Sequence, residues 1–255
     1  MRTGRLIGAG RTADVYEAGA GWVLRRDREG VGDAVAEGAV MEHVRAHGYP
    51  VPRVRPAGPA SPHTDPHTDP RAGLPADPHT DFPVDPHTDL PTDPRTDLVM
   101  ERLFGPTMLR ACLDGALTPR DAGGMLARLL RLLHEVPPYR STDPGVCVLH
   151  LDLHPDNVIL TADGPRVIDW SNAEEGVPGL DWGTSAVILA QVAAVGGPMA
   201  EPAGVMLAAL LADPSALTQE GLAEALRRRA ANPTMDPREL AVLPAAEDLV
   251  RSHLG

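Results

Sequence analysis

Between Val148 and Leu160 the chain reads VLHLDLHPDNVIL. Two apolar runs, each with the look of a short buried strand, enclose two aspartates, two histidines and an asparagine. An ionised carboxylate in apolar surroundings costs several kcal/mol unless it is paired or bound to a metal. Any fold that accommodates this stretch must therefore supply partners for Asp152, Asp156 and Asn157.

The residues that follow supply a geometry. Asn157 opens a second run, NVIL, and twelve residues beyond it Asp169 ends the run RVID. The intervening TADGP is a turn, so the two runs form a hairpin whose open ends lie side by side. Asn157 and Asp169 then converge as paired oxygen ligands, the donor type a hard divalent cation requires. Asp152, just before the hairpin, comes within reach of a hydroxyl nucleophile near that metal. Spacing and hairpin geometry agree, which favours this arrangement over three unrelated polar residues in turns.

Two other features organise the chain. Between Ser61 and Asp97 a tetrapeptide repeat, PHTDPHTDPRAG…PTDPRTD, carries eight Asp against two Arg and nine prolines, half of the net charge of −12. Such a segment has no core to build and reads as a disordered insertion. Its His63, His67, His79 and His87 raise a competing reading, metal capture with the aspartates. The second feature is IGAGRTADVY near the start, with Gly8-x-Gly10 between strand-like runs. Glycines there suit backbone amides that close over a polyphosphate, and suit equally a plain hairpin turn. Ala13 occupies the place of a third glycine. A strand follows, where a dinucleotide-binding fingerprint needs a helix.

Around the repeat, GRLIGAG, ADVYEAG and GWVLRR read as strands divided by glycine turns, GDAVAEGAVMEHVRAHG as a helix, PVPRV as an edge strand and LVMERL as another strand. After Gly105-Pro106 the pattern is mainly helical, with a helix opening at Pro119 and others over 179–195, 203–212, 218–231 and 237–253. No apolar run is long enough to span a bilayer, no basic stripe suits nucleic acid, and two distant cysteines suit reduced thiols in the cytoplasm. Nothing in the sequence sets the oligomeric state.

HLDLHPDN followed by VIDW resembles the catalytic and metal-binding segments of the aminoglycoside phosphotransferase and choline kinase-like small-molecule kinases, relatives of the protein kinases. The resemblance covers roughly residues 4–55 and 98–190. It implies an α+β, two-lobed protein kinase-like fold, with a β-rich N-lobe over 1–99 carrying the insertion between its fourth and fifth strands. A hinge over 100–105 and a helical C-lobe over 106–255 complete it. It implies phosphoryl transfer from ATP to a hydroxyl of a small molecule, with Asp152 as catalytic base and Asn157 and Asp169 as Mg2+ ligands. Gly8 and Gly10 fall in the loop over the phosphates, and Glu37 on the helix glutamate of the small lobe. LVMERLFGPT, with Met100 and Glu101, falls on the hinge that holds adenine. Asp181 in GLDWG falls on the aspartate that braces the catalytic loop, and His134 on a structural histidine ending a core helix.

Three positions depart from the family pattern. Leu151 stands where Gly or Arg is usual, Ser171 where an acidic residue is frequent, and Arg25 where the phosphate-binding lysine is expected. Arginine keeps the charge but is bulkier and forked. A second reading therefore stands beside the kinase, a catalytically silent nucleotide-binding regulator. Only eleven residues separate Asp169 from Asp181, which leaves no room for the activation loop of a protein kinase. Glu174 and Glu175 raise a cationic acceptor, or simply a solvated acidic turn.

Overall fold

The computed structural model describes residues 4–10, 12–28, 30, 32–55, 93 and 95–254. The readings of the repeat as a disordered insertion and as a metal-capturing tract lie outside these residues, except at its last few positions. The chain divides into two compact units, 1–38 with 54–102 and 39–53 with 103–255.

The first unit is a five-stranded antiparallel sheet in the order β1-β2-β3-β5-β4. Its strands are β1 (Leu6–Ala9), β2 (Ala13–Glu17), β3 (Trp22–Asp27), β4 (Val54–Arg55) and β5 (Asp97–Glu101). The two-residue β4 lies at the edge, as its neighbouring prolines require. The turn between β2 and β3 runs through Gly19 and Gly21, with φ of 93° and 76°, a region that glycine enters without strain. Tyr16, Ala18, Leu24 and Val99 form a buried cluster with Trp22 packed against it.

Sequence reading assigns Asp97 to the solvated repeat; the structure corrects this. Asp97 opens β5 directly opposite Arg26 on β3. Its carboxylate is buried and accepts two hydrogen bonds from that guanidinium, Nε to Oδ1 at 2.8 Å and Nη2 to Oδ2 at 2.7 Å. The Asp93 N–H adds a third at 3.0 Å. The last turn of the repeat is thereby tied into the ladder. A tetrapeptide period cannot reveal this, because the register that sets Asp97 against Arg26 is a property of the strand pair.

Helix α1 (Ala34–Ala46) runs across the division between the units. Residues 39–53, which sequence reading counts with the first lobe, belong to the second unit for identifiable reasons. His43 Nε2–H donates to the Pro137 carbonyl at 2.7 Å, the Val167 N–H donates to Pro50 O at 2.8 Å, and the Tyr49 ring meets Trp170 edge-on.

The second unit is built on α3 (Pro119–His134), α4 (Pro178–Val195), α5 (Ala200–Leu210), α6 (Gln219–Ala230) and α8 (Leu243–Arg251), with short helices α2 (Met108–Leu113) and α7 (Pro237–Ala241). Thr118 caps α3 by accepting from the Asp121 N–H, and Pro119 takes the first helical position, where no donor is needed. Leu126, Leu129, Leu130 and Leu133 fill its buried face. Helix α4 is apolar on nearly every side and packs against α5, α6 and α8. Its approach to α6 depends on glycine: a Cβ at Gly221 would lie 2.3 Å from the Gly179 backbone. The helix expected over 237–253 is instead two, divided at Val242, because Pro244 cannot continue the hydrogen-bond ladder of α7.

Two strand pairs complete the scaffold. β7 (Val158–Thr161) and β8 (Gly164–Val167) form the expected hairpin, while β6 (Cys147–Leu149) pairs with β9 (Glu174–Gly176), a strand that the sequence reading left in a loop. Directly after β6 the chain is held by one side chain from α4. Asp181 is fully buried and its carboxylate accepts from the N–H of His150 at 3.0 Å and of Leu151 at 2.8 Å. His134, at the end of α3, donates from Nε2 to the same carboxylate at 3.1 Å. Burial pushes the Asp181 carboxyl up, but His134 and the His150 N–H outweigh it, so the group sits below the ordinary aspartate value.

Two outcomes follow from these paired charges. Arg26→Ala leaves the Asp97 carboxylate buried without its fork and should lower stability by about 3 kcal/mol, read as a fall in the denaturant midpoint. Asp181→Asn should cost a similar amount, about 3 kcal/mol, at neutral pH. Because the folded-state value of Asp181 is depressed, its stabilisation is complete above the ordinary aspartate range and is lost as pH falls through the folded value. The gap between the native chain and Asp181→Asn should therefore narrow progressively below about pH 4.

Candidate active site

The loop from His150 to Asn157 leaves β6 under the hold of Asp181. Leu151 takes a φ of 60°, in the left-handed region. A non-glycine residue remains there only when its surroundings over-determine it, and the Leu151 N–H is indeed fixed by Asp181. The His150 ring is buried and spans two segments. Its Nε2–H donates to Ile168 O at 3.1 Å and its Nδ1 accepts from the Asp152 N–H at 3.2 Å. This pattern defines a neutral Nε2–H tautomer, and burial holds the imidazole below the ordinary histidine value.

Pro155–Asn157 form a single 3-10 turn, capped by His154, whose side chain accepts from the Asp156 N–H. Asn157 closes this turn; the strand begins at Val158, one residue later than sequence reading places it. The Asn157 side chain is nearly buried, and its Nδ2 donates to the Asp152 backbone O at 2.9 Å and to Asp152 Oδ2 at 3.3 Å. Only the amide nitrogen can face a carbonyl oxygen, so Oδ1 is turned away from Asp152. The His154 Nε2 stands 3.7 Å from Asp152 Oδ2. Burial pushes the Asp152 carboxyl up; His154, then His150 and Arg229, together outweigh that effect and hold it below the ordinary aspartate value. Asp152 is thus ionised at neutral pH.

The hairpin brings the segment that precedes Asp169 against Asn157. β8 ends at Val167, two residues short of the expected end, yet the Ile168 N–H still donates to Asn157 O at 3.0 Å. Asp169 follows with a φ of 63°, a second non-glycine residue in the left-handed region. The Ser171 hydroxyl donates to Asp169 Oδ1 at 2.9 Å. Trp170 is buried, donates to Val167 O at 3.2 Å and meets His150 edge-on. The Asn157 amide oxygen and the Asp169 carboxylate are the hard oxygen donors that suit Mg2+, a cation usually held by one or two protein groups together with substrate phosphates. Among the described residues no group of three or more His, Cys, Asp or Glu could hold a metal ion without such help.

The first unit holds several of the other residues singled out in the sequence. Gly8 lies on β1 opposite Val15, and the Gly10 N–H donates to Ala13 O at 2.8 Å, closing the turn into β2. Arg25 on β3 and Glu37 on α1 form an ion pair, Nη1 to Oε2 at 2.5 Å, with both side chains largely buried. Met100 is buried on β5 between Val23 and Val54, and Glu101 ends that strand opposite Trp22. Two acidic residues acquire structural duties. Glu175 accepts from the backbone N–H groups of Tyr139, Arg140 and Ser141, and Glu174 pairs with Arg228 at 2.7 Å. Both lie on β9 rather than in a turn, and the Glu174 side chain remains 41% exposed. His154 was overlooked, although it lies two residues from Asp152, which was already singled out.

The sequence model of the phosphotransferase enzyme family matches this chain over residues 3–145 and 108–218. Comparison with curated protein sequences found no match. Among solved structures, aminoglycoside phosphotransferase APH(4)-Ia is similar with a TM-score of 0.58 and 12% identity, over 98% of this chain and 94% of that one. A thermostable mutant of APH(4)-Ia in a ternary complex with ADP and hygromycin B gives 0.53 and 14%, over 98% and 94% of the two chains. The amicoumacin kinase hAmiN, in complex with AMP-PNP, Ca2+ and Ami, gives 0.50 and 14%, over 97% and 87%. At these identities the likeness concerns the fold, which is the α+β fold of protein kinase-like phosphotransferases. With the family model spanning most of its length, the chain belongs to the phosphotransferase enzyme family.

Proposed function

We propose that the protein transfers the γ-phosphoryl group of ATP to a hydroxyl of a small molecule. The observation that carries this reading is the joining of Asp152, Asn157 and the segment bearing Asp169 by hydrogen bonds. In the proposed reaction Asp152 accepts the hydroxyl proton as the O–H bond breaks. The acceptor oxygen bonds to the γ-phosphorus, and the bond from that phosphorus to the β–γ bridging oxygen breaks to release ADP. Asn157 and Asp169 would hold Mg2+, which when bound offsets negative charge on the phosphates. Gly8, Gly10, Arg25 and Glu37 are assigned to the phosphates and Met100 and Glu101, in the hinge 100–105, to adenine, by resemblance to the family.

Two of these neighbours support nucleotide use: the APH(4)-Ia complex contains ADP, and the hAmiN complex contains AMP-PNP. Among the described residues no helix is long and apolar enough to cross a membrane, and free Cys112 and Cys147 suit the reducing cytoplasm we propose for the protein. The identity of the acceptor is open to a direct test. Incubation with Mg2+-ATP and a library of hydroxyl metabolites and antibiotics, read by mass spectrometry, should yield at least one product heavier by one phosphoryl group.

The close Arg25–Glu37 pair supports a second reading, in which Arg25 is a structural partner and the protein is a silent nucleotide-binding regulator. Binding of Mg2+-nucleotide without turnover of any acceptor would favour it.

Two sets of substitutions separate the roles. Asp152→Asn should lower turnover about a hundredfold or more, the usual scale for loss of a general base, with nucleotide affinity by calorimetry unchanged. Asp169→Asn should instead weaken Mg2+-nucleotide binding; equal losses of affinity in both variants would refute the division of roles. Arg25→Ala should raise the nucleotide KM and lower turnover, while Arg25→Lys, which keeps the charge without the fork, should retain activity. If Arg25→Ala only lowers the melting temperature and leaves nucleotide affinity intact, the regulator reading gains.

A further inference from the structure

His154 lies between the proposed base and the proposed metal ligand, and neither role requires a histidine. Its two ring nitrogens have different environments. Nδ1 accepts the Asp156 N–H at 3.3 Å and caps the 3-10 turn Pro155–Asn157. An Nδ1 that accepts carries no proton, so in the neutral ring the proton resides on Nε2. Nε2 is the atom directed at Asp152, 3.7 Å from Oδ2, with about a quarter of each side chain exposed. At that distance it is an aimed contact rather than a closed hydrogen bond, and catalytic hydrogen bonds commonly tighten once substrate is bound. The Asn157 Nδ2 donates to the same oxygen at 3.3 Å. Both contacts therefore fall on one edge of the carboxylate.

We propose that His154 is a positioning residue that donates from Nε2 to Asp152 Oδ2 and so presents Oδ1 to the acceptor hydroxyl. Asn157 holds that oxygen while also bound to the Asp152 backbone O, and His154 supplies the second contact. The Asp156 N–H is what keeps the ring in the donating tautomer. The 3-10 turn thus has a second use: its capping bond determines which nitrogen faces the base. This proposal rests on the reading of Asp152 as the base, and the experiment below distinguishes failure of one from failure of the other.

The two functions of the ring can be removed separately. Asn at position 154 keeps an oxygen near the place of Nδ1, where asparagine is a good cap, but has nothing at Nε2. Gln places an amide N–H near Nε2 and gives up the cap. Turnover is measured as Mg2+-ATP hydrolysis with water in place of the hydroxyl, alongside Mg2+-ADP affinity by calorimetry and melting temperature. His154→Asn should lower kcat about tenfold or more, the scale expected for a misplaced reacting group, with KM for ATP, Mg2+-ADP affinity and melting temperature unchanged. His154→Gln should keep kcat within about threefold, on the same positioning scale, while melting at a lower temperature. In the nucleotide-free protein, at a pH where the ring is neutral, 15N NMR of His154 should show the proton on Nε2, with that resonance displaced in Asp152→Asn.

Three results would overturn the proposal. His154→Asn with native kcat, beside an inactive Asp152→Asn, would leave His154 as a cap only. Loss of kcat in both variants, or a proton found on Nδ1, would remove the donor role. Native turnover in Asp152→Asn would refute the base itself and the proposal with it.

Discussion

A single buried carboxylate organises the second unit. Asp181 sits in the first turn of α4, and three donors converge on it from α3 and from the segment leaving β6. An unpaired charge at that depth would be prohibitive, whereas one with three well-formed hydrogen bonds is tolerated and directional. Its effect is to fix the backbone of His150 and Leu151, and with it the direction in which Asp152 leaves the core. The neutral His150 ring continues the connection, since one nitrogen reaches the Asp152 backbone and the other the carbonyl that precedes Asp169. Loop and hairpin are thereby held to each other by a side chain that carries no charge.

That network explains how two non-glycine residues remain in the left-handed region at Leu151 and Asp169. Each such residue costs on the order of 1–3 kcal/mol. At Leu151 the N–H is pinned by Asp181. At Asp169 the preceding residue is held at both its N–H and its carbonyl, and the following Trp170 is wedged between Tyr49 and His150. Among the described residues the strain falls at the two positions flanking the polar cluster, and their neighbours supply the constraint. Leu151, which departs from the usual Gly or Arg of the family, shows that bracing rather than glycine's freedom sets this backbone.

In the first unit, consecutive arginines on β3 have different partners because strand neighbours point to opposite faces. Arg26 is absorbed by Asp97 in a bidentate pair across the ladder. Arg25 meets Glu37 on α1. A guanidinium offers donors on several nitrogens where an ammonium is a compact point charge, so arginine at this place keeps the charge with a different geometry.

Much of the architecture was legible in the sequence. Period-2 runs and glycine turns located β1, β2 and β3; Pro119 and the leucine spacing marked α3; and the TADGP turn announced the hairpin that joins Asn157 to the segment of Asp169. Each of these signals is local, carried by residues within one or two turns of each other. The misses have a common cause. Asp97 looked like one more aspartate of a repeat until strand register set it against Arg26, and Glu174 and Glu175 looked like a solvated turn until β9 paired with β6. His154 looked like an incidental histidine until the 3-10 turn fixed its tautomer and aimed Nε2 at Asp152. The sequence by itself determined which residues could carry charge, turn the chain or fill a core, because those are properties of side chains and their near neighbours. Only the tertiary structure decided which carboxylate meets which donor, because pairing across 31 residues, as between His150 and Asp181, or 71, as between Arg26 and Asp97, depends on packing that no local pattern encodes.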